Sequence, residues 1–580
     1  MSNVLGSAAW NTHPGFPRDA AIGNAGSPLD GCFLLLGKAQ SGRNLHVRPP
    51  TQHLISIAPT RSGKGVSLII PNLLTYRGSV LVVDPKGENA WLTAAHRRDA
   101  LGQRVVIVDP WGEVNRRYGS TAGESETVAR FNPLSILDPE SDEYVDDLAY
   151  LADSVIISQS SRDPHWDDSA RELVAGLIAL VVESPQYREE ASLGLVRALL
   201  CLPGPQLRVA IKDAQALPPG SIARAKLARF EAETNEIDSV MSTARTQTGF
   251  LDSDVLARNM DASDFSFEEL CGGNISVYLV LPPDKLETYA RWLRLMISIA
   301  IRAVARGPGG SRLPEIQRQP SGGQQSGSTL PVLFMLDEFG TIGKLNAVAQ
   351  AYGLMAGLGM IMWAFAQDLN QLKRDYPDHW ETFIGNSQAM TCFGVMDNFT
   401  AEYVSKMLGT ATIEHENIST SFGQSIAPRT YMSPWNVTQR TTISASTSTS
   451  VQTLSRPLLQ PDEVRGLNGA LCIIMGRFAP ILGRRIVYHE DWELLHCVRP
   501  DPQFPRTEQA RWRALEKKLI DAGSVSGVLW EAGYEVKALW RGRWQVKMRA
   551  GSGNVAHTFA NDKELWRWTY LLAMDGVDTA

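Results

Sequence analysis

At 580 residues the chain exceeds what one hydrophobic core supports, and three or four folding units of roughly 100–200 residues each are expected. Hydrophobic residues make up 44% and charged residues 20%, a globular balance that excludes a disordered, collagen-like or coiled-coil chain. A net charge of −6 excludes a uniformly basic nucleic-acid binder but leaves room for a local positive channel inside an oligomer.

In chain order, short apolar runs at Cys32–Leu36 and Leu54–Ala58 read as strands, the second running straight into a turn and a helix from near Val66. Strands at Ser79–Asp84 and Arg104–Asp109, each leading into Asp-Pro, flank a helix at Trp91–Ala100, which is the alternation of a parallel α/β sheet. From 140 to 270 the pattern changes to amphipathic helices, including Asp168–Glu183, Ser192–Cys201 and Ile222–Phe230, so an all-α domain inserted into the sheet is expected. Strands return at Ile275–Leu281, Pro331–Leu336 and Gly359–Ala366, with helices at Leu286–Ala305 and Asn346–Leu358. The α/β domain would then occupy residues 1–139 and 271–498, closed by strands at Ala470–Met475 and Arg485–Tyr488. Within it, 307–328 reads as a Gly-, Ser-, Gln- and Pro-rich linker and 417–455 as a Ser/Thr-rich mobile loop or exposed ribbon. Residues 499–580 read as a small Trp-rich α+β module, with helices at Glu508–Ala522 and Lys563–Met574 and a hairpin at Val536–Met548.

The six cysteines are scattered without a CxxC pair, which points to a reducing cytosol, and His489, His496 and Cys497 lack a fourth metal ligand nearby. No run approaches the ~18–20 apolar residues that cross a bilayer, and no basic start followed by an apolar run marks a signal peptide. The chain as given reads as soluble, with no transmembrane segment.

Chemistry concentrates in Ala58-Pro59-Thr60-Arg61-Ser62-Gly63-Lys64-Gly65, between a strand and a helix. It approaches GxxxxGK[ST], the loop whose backbone N–H groups cradle phosphates while its lysine neutralises the β- and γ-phosphates. Thr60, Arg61, Ser62, Gly63, Lys64, Gly65 and Val66 are therefore the candidate ATP contacts. Ala58 stands in place of the first glycine, and Gly65 in place of the hydroxyl residue that holds Mg²⁺; magnesium would rest on Asp337, water, or a displaced Thr60 or Ser62. The competing reading is a glycine turn with an exposed lysine. Against it, the apolar run Val332–Leu336 leads directly into Asp337-Glu338, the Walker B arrangement in which the aspartate organises Mg²⁺ and the glutamate polarises the attacking water. A third strand ends at Gln367, where a RecA-like motor places a polar sensor of the γ-phosphate. Lys64, Glu338 and Gln367 are the catalytic candidates, Asp337 the metal ligand, and ATP with Mg²⁺ the expected cofactors.

The series APTRSGKGV with IIPNLL after it, DPKGE at 84–88, RFNPL at 130–134, HWDDSAREL at 165–173, LDEFGTIGKL at 336–345, QDLNQLK at 367–373 and RPLLQPDEV at 456–464 resembles the TraG-like type IV coupling proteins. These are ring ATPases of the HerA and FtsK class of RecA-fold motors, and the similarity runs from Gly6-Ser7-Ala8-Ala9-Trp10 to about residue 490. The resemblance implies a RecA-like P-loop NTPase domain with an all-α insertion that receives substrates, and assembly into a homo-hexamer. It also implies transfer of relaxase-bound single-stranded DNA or effector proteins into a type IV secretion channel at the cytoplasmic face of the bacterial inner membrane. Family members usually begin with transmembrane helices, whereas here Met1 lies almost at the first motif, as expected of an anchorless relative or a truncated form.

Arg245, Arg374 and Arg477 are conceivable arginine fingers, each equally readable as an ordinary ion-pair residue. In the tail, Lys537, Arg541, Arg543, Lys547 and Arg549 interleave with Trp540 and Trp544, which reads either as a stacking face for single strands or as a hairpin packed on its flanking helices. Two other functions fit the motifs: a nucleotide-regulated docking platform with little hydrolysis, which Gly65 favours, and a double-stranded DNA pump of the same motor class.

Overall fold

Runs that are apolar at every position, such as Val80–Asp84 (VLVVD) and Met360–Ala366 (MIMWAFA), are stable as strands only with both faces covered. A computed structural model describes residues 10, 33–39, 44–47, 52–119, 126–157, 165–232, 234–307, 330–355, 357–426, 430–433, 436–438, 441–467, 469–476, 478–495, 497–499, 534–539, 543–548 and 556–559. The strands are β1 (Leu34–Lys38), β2 (Asn44–Val47), β3 (His53–Ile57), β4 (Val80–Asp84), β5 (Arg104–Val108), β6 (Ile275–Val280), β7 (Val332–Leu336), β8 (Met360–Ala366) and β9 (Ser387–Cys392). They continue with β10 (Thr410–Ile426), β11 (Thr430–Ser433), β12 (Asn436–Thr438), β13 (Thr441–Pro457), β14 (Ala470–Met475) and β15 (Phe478–Arg484).

One eleven-stranded sheet has the order β2-β1-β15-β14-β9-β3-β8-β7-β4-β6-β5. From β9 to β5 every pairing is parallel, while β14, β15, β1 and β2 extend one edge antiparallel. Alternate side chains of each strand enter two separate cores. Ile55, Ile57, Leu81 and Val83 pack with the helices Leu286–Arg306 and Asn346–Leu354, whereas Leu54, Val80, Val82 and Trp363 pack with Ile70–Thr75 and Glu88–Asp99. The result is a three-layer sandwich whose strand ends point to one edge.

Between Pro133 and Gly272 every regular element among the described residues is helical. The helix His165–Glu183 is buried along most of its length and packs against Tyr144–Val155, Ile222–Leu227 and Asn235–Gln247. Serine or threonine hydroxyls open four of these helices: Ser192, Ser221, Thr234 and Ser253 each accept the backbone N–H three residues on. Asp147 joins this segment to the sheet layer, accepting from Arg302 Nε at 2.6 Å and Arg306 Nη1 at 2.5 Å.

The chain departs from its sequence pattern in several places, including the strands β2 and β9, which the pattern did not show. The helix expected from Val66 starts at Lys64–Gly65 with a widened first turn, in which Ile70 N–H reaches Gly65 O; Pro71, with no N–H to give, follows directly. The closing strand is Phe478–Arg484 rather than Arg485–Tyr488, because β14 turns back tightly at Met475 and Phe478 and the last pairing with β1 is Lys38 to Arg484. The helix expected to reach Leu358 ends at Leu354.

The Ser/Thr-rich stretch forms a ribbon: β10 and β13 pair antiparallel without a break from Thr410–Pro457 to Ile426–Thr441, with Ile418, Phe422 and Ile443 exposed. In the tail, Tyr534–Leu539 and Arg543–Met548 form the expected hairpin, joined by a third strand, Ala556–Phe559. The two tail helices, the linker beyond Gly307 and the GSAA part of the first motif lie outside the described residues. Among the described residues no helix is long and apolar enough to cross a membrane.

Arg97, fully buried on the helix Glu88–Asp99, fixes the turn that returns the chain from the first helix to β4. It donates to the carbonyls of Leu73 (2.5 Å), Tyr76 (3.0 Å) and Gly78 (3.0 Å), and to Ser276 Oγ and Gln103 Oε1. Leaving such carbonyls buried and unpaired costs ~1–3 kcal/mol each. Arg97→Ala should therefore lower unfolding free energy by about 3 kcal/mol or more, read as a shifted midpoint in chemical denaturation; an unmoved midpoint refutes the assignment.

Candidate functional site

Parallel pairing brings the three predicted motifs together. β8 lies between β3 and β7, with Ile57 opposite Ala366 and Leu336 opposite Ala364. The residues that follow each strand therefore emerge at one edge of the sheet, the carboxyl edge at which α/β proteins bind ligands. Ala58 N–H donates to Ala366 O at 2.9 Å, which ties the root of the glycine loop to the end of β8.

At this edge Lys64 Nζ lies 2.7 Å from Glu338 Oε1 and 3.1 Å from Asp337 Oδ1. Gln367 Nε2 donates to the other oxygen of Glu338 at 2.8 Å. All four sequence-predicted catalytic and metal residues thus form one constellation. Burial works against the charge of Lys64, but Asp337 and Glu338 outweigh it and raise its pKa. Burial pushes Glu338 up, yet the Lys64 ammonium and the Gln367 amide hold it below the usual carboxylate range. Asp337 goes the other way, raised by burial and by the charge of Glu338 despite Lys64. The two adjacent carboxyls therefore differ in proton affinity, as acid and base assignments require.

Backbone strain gathers at this edge. Among the described residues the non-glycine positions with positive φ are Arg61 (63°) and Glu338 (52°), and both belong to this site. Glu338 is held in its left-handed turn by Asp337 Oδ1, which accepts its N–H at 2.8 Å, and by Thr341, whose N–H and hydroxyl both reach Glu338 O. Gly63 adopts φ 91°, open to glycine. Gly340 has a packing reason instead: a Cβ there would lie 2.2 Å from Gln371 Oε1, the atom that accepts Gln367 N–H at 3.2 Å.

Of the loop residues, Thr60 and Arg61 are exposed, Ser62, Gly63, Gly65 and Val66 half-buried, and Lys64 buried. Ser62 Oγ donates to Pro59 O at 2.6 Å, so its hydroxyl closes the loop's own turn. The residues present fit a magnesium nucleotide. Gly63 and Gly65 open the loop, Gly65 with no atom within 4 Å of where a Cβ would stand. Asp337 offers a carboxylate of the kind that Mg²⁺ takes together with phosphate oxygens.

Four residues at or beside this edge carry no catalytic motif of their own. Asp84, at the end of β4, is buried and accepts Ala90 N–H at 2.8 Å; Asp109, at the end of β5, likewise accepts Val114 N–H at 2.8 Å. The repeated strand-Asp-Pro pattern was the signal. Lys86 of the same DPKGE run is exposed and its charge acts on Glu338. Arg485 donates to Ser62 O, and no sequence spacing announces it. Of the arginine candidates, Arg374 donates to Gly340 O and pairs with Asp375, and Arg245 closes a helix end on the carbonyls of Leu200 and Leu202; Arg477 lies outside the described residues.

A parallel sheet with a glycine-lysine loop after one strand, an acid pair two strands away and a glutamine between them defines a RecA-like P-loop nucleotide-binding fold. Two solved structures share it: the bacterial conjugative coupling protein TrwBΔN70, with a TM-score of 0.54, 14% identity and coverage of 78% of this chain and 89% of that one, and the plasmid coupling protein TrwB in complex with ADP and Mg²⁺, with a TM-score of 0.53, 14% identity and coverage of 80% and 96%. The chain belongs to the type IV secretory system conjugative DNA transfer family, whose model matches residues 22–521. It is 27% identical over 494 residues to the conjugal transfer protein TraG of Escherichia coli, covering 82% of this chain and 71% of the relative. With the protein VirD4 of Agrobacterium fabrum strain C58 it shares 28% over 448 residues, 76% of this chain and 59% of that protein.

Burial, helped by the charges of Glu88 and Asp337, pushes the Asp84 carboxyl up to about 7 against the Ala90 N–H. The native protein then keeps a proton that the unfolded chain releases near its ordinary pKa, about 4, so stability falls as pH rises from there through about 7. Asp84→Asn should melt above wild type at about pH 8, with the gap closing towards about pH 5; a gap independent of pH in calorimetry contradicts this.

Proposed function

We propose that this chain is a type IV coupling protein ATPase that recruits relaxase-bound single-stranded DNA or protein effectors and drives them into a conjugation or type IV secretion channel. The observation that carries the reading is the junction of Lys64 with Glu338 and Gln367 at a phosphate-binding loop. Family membership supports the setting in conjugative DNA transfer; in this reading a homo-hexamer acts at the cytoplasmic face of the inner membrane.

In this mechanism Lys64 exchanges Glu338 for phosphate oxygens, and the backbone of 60–66 holds the triphosphate of ATP. Glu338, freed from the ammonium and still oriented by Gln367, accepts a proton from water; the water oxygen bonds to the terminal phosphorus as the bond to the ADP oxygen breaks. Asp337 would hold Mg²⁺, whose charge would offset the charge on the transferring group. Gln367 reports whether Glu338 is paired with Lys64 or with water, and so links nucleotide state to β8.

Lys64→Ala should abolish nucleotide binding and hydrolysis. Glu338→Gln should keep binding while kcat falls about 100-fold or more. Wild-type turnover in Glu338→Gln would remove the assigned base. Gly65, in the position of a magnesium-binding hydroxyl, favours the second reading, a docking platform with little hydrolysis. Phosphate release measured with and without single-stranded DNA separates the two, since only the motor is stimulated.

A further inference from the structure

After β15 the chain leaves the sheet and lies across the glycine loop. Arg485 Nη1 donates to Ser62 O and Tyr488 N–H donates to Val66 O at 3.3 Å, so residues 485–488 strap both ends of the segment 62–66. The Arg485 guanidinium is seated over the Phe393 ring, 5.5 Å from its centroid, and Phe393 N–H donates to Ile57 O at 3.2 Å, at the root of the loop. Its Nη1 lies 3.0 Å from where a Cβ on Gly63 would stand.

Two physical consequences follow. In a trans peptide the C=O and the next N–H point in opposite directions. Holding Ser62 O towards Arg485 therefore turns Gly63 N–H away from the guanidinium. Second, the guanidinium is not neutralised. Among the described residues Arg485 makes no ion pair, and its buried Nε has no hydrogen-bond partner. Such a cation is costly to leave unpaired, and in a partly buried site its attraction for a phosphate is screened less than in open water.

We propose that Arg485 is a positioning residue of the nucleotide site, which locks the Ser62–Gly63 peptide in its phosphate-binding orientation and adds a second positive charge beside Lys64. The proposal rests on reading residues 60–66 as the triphosphate loop. It assigns the strap 485–488 to nucleotide affinity rather than to sheet closure.

The test uses the full chain, with a fluorescent ATP analogue for binding and steady-state hydrolysis for kcat and KM. Arg485→Ala should raise Kd and KM about tenfold or more, the loss expected for a hydrogen bond from a charged donor, with kcat changed much less. Arg485→Lys keeps the charge but not the planar fork and should recover part of that loss. The nucleotide-induced rise in melting temperature should shrink in the same order, and the Lys variant still reads the effect should the Ala variant fold poorly. Wild-type Kd and KM in both variants, while Lys64→Ala loses binding, would overturn the role of Arg485 and leave the nucleotide site standing. A wild-type chain that binds no ATP analogue would remove both.

Discussion

Parallel alignment of β3, β8 and β7 is the constraint from which the site follows. Because the strands run the same way and pair in register at their carboxyl ends, the loop after Ile57, the glutamine after Ala366 and the acid pair after Leu336 arrive within hydrogen-bond reach of one another. An antiparallel β8 would send Gln367 to the opposite edge. Everything that packs on the two faces serves to keep this edge in place, from Arg97 behind the first helix to the helix Leu286–Arg306 on the other side.

Electrostatics then divides labour among chemically similar groups. Glu338 is low in proton affinity because Lys64 and Gln367 satisfy both its oxygens, while Asp84, raised by burial, and Asp337, raised by burial and by the charge of Glu338, hold protons more tightly. Two adjacent carboxyls of one motif thus acquire different proton affinities from their surroundings alone. The left-handed turn at Glu338 is part of the same arrangement, since an extended residue there would carry the side chain away from Lys64.

The helical segment from Pro133 to Gly272 and the sheet share one continuous apolar core, and Asp147 with Arg302 and Arg306 pins them together. Both arginines lie on the helix Leu286–Arg306, which packs on the sheet face. In the β10–β13 ribbon, by contrast, the apolar side chains Ile418, Phe422 and Ile443 face solvent.

Patterns local in the chain were legible before any coordinates. Glycine, lysine and paired carboxylates at fixed offsets marked Lys64, Asp337, Glu338 and Gln367, and the switch from strand-like to helical periodicity marked the helical segment, because each depends on neighbours a few residues away. Arg485 and Asp84 were not legible as site residues, since their importance comes from pairings across 423 residues in one case and from a neighbouring strand in the other. The closing strand was misplaced for the same reason: which of 478–484 and 485–488 pairs with β1 is set by the hairpin at Met475 and Phe478 and not by local hydrophobicity. Sequence alone therefore determined which chemical groups this protein brings to its task. Tertiary structure decided which of them meet, because strand order and register are properties of the whole sheet and no short stretch of chain encodes them.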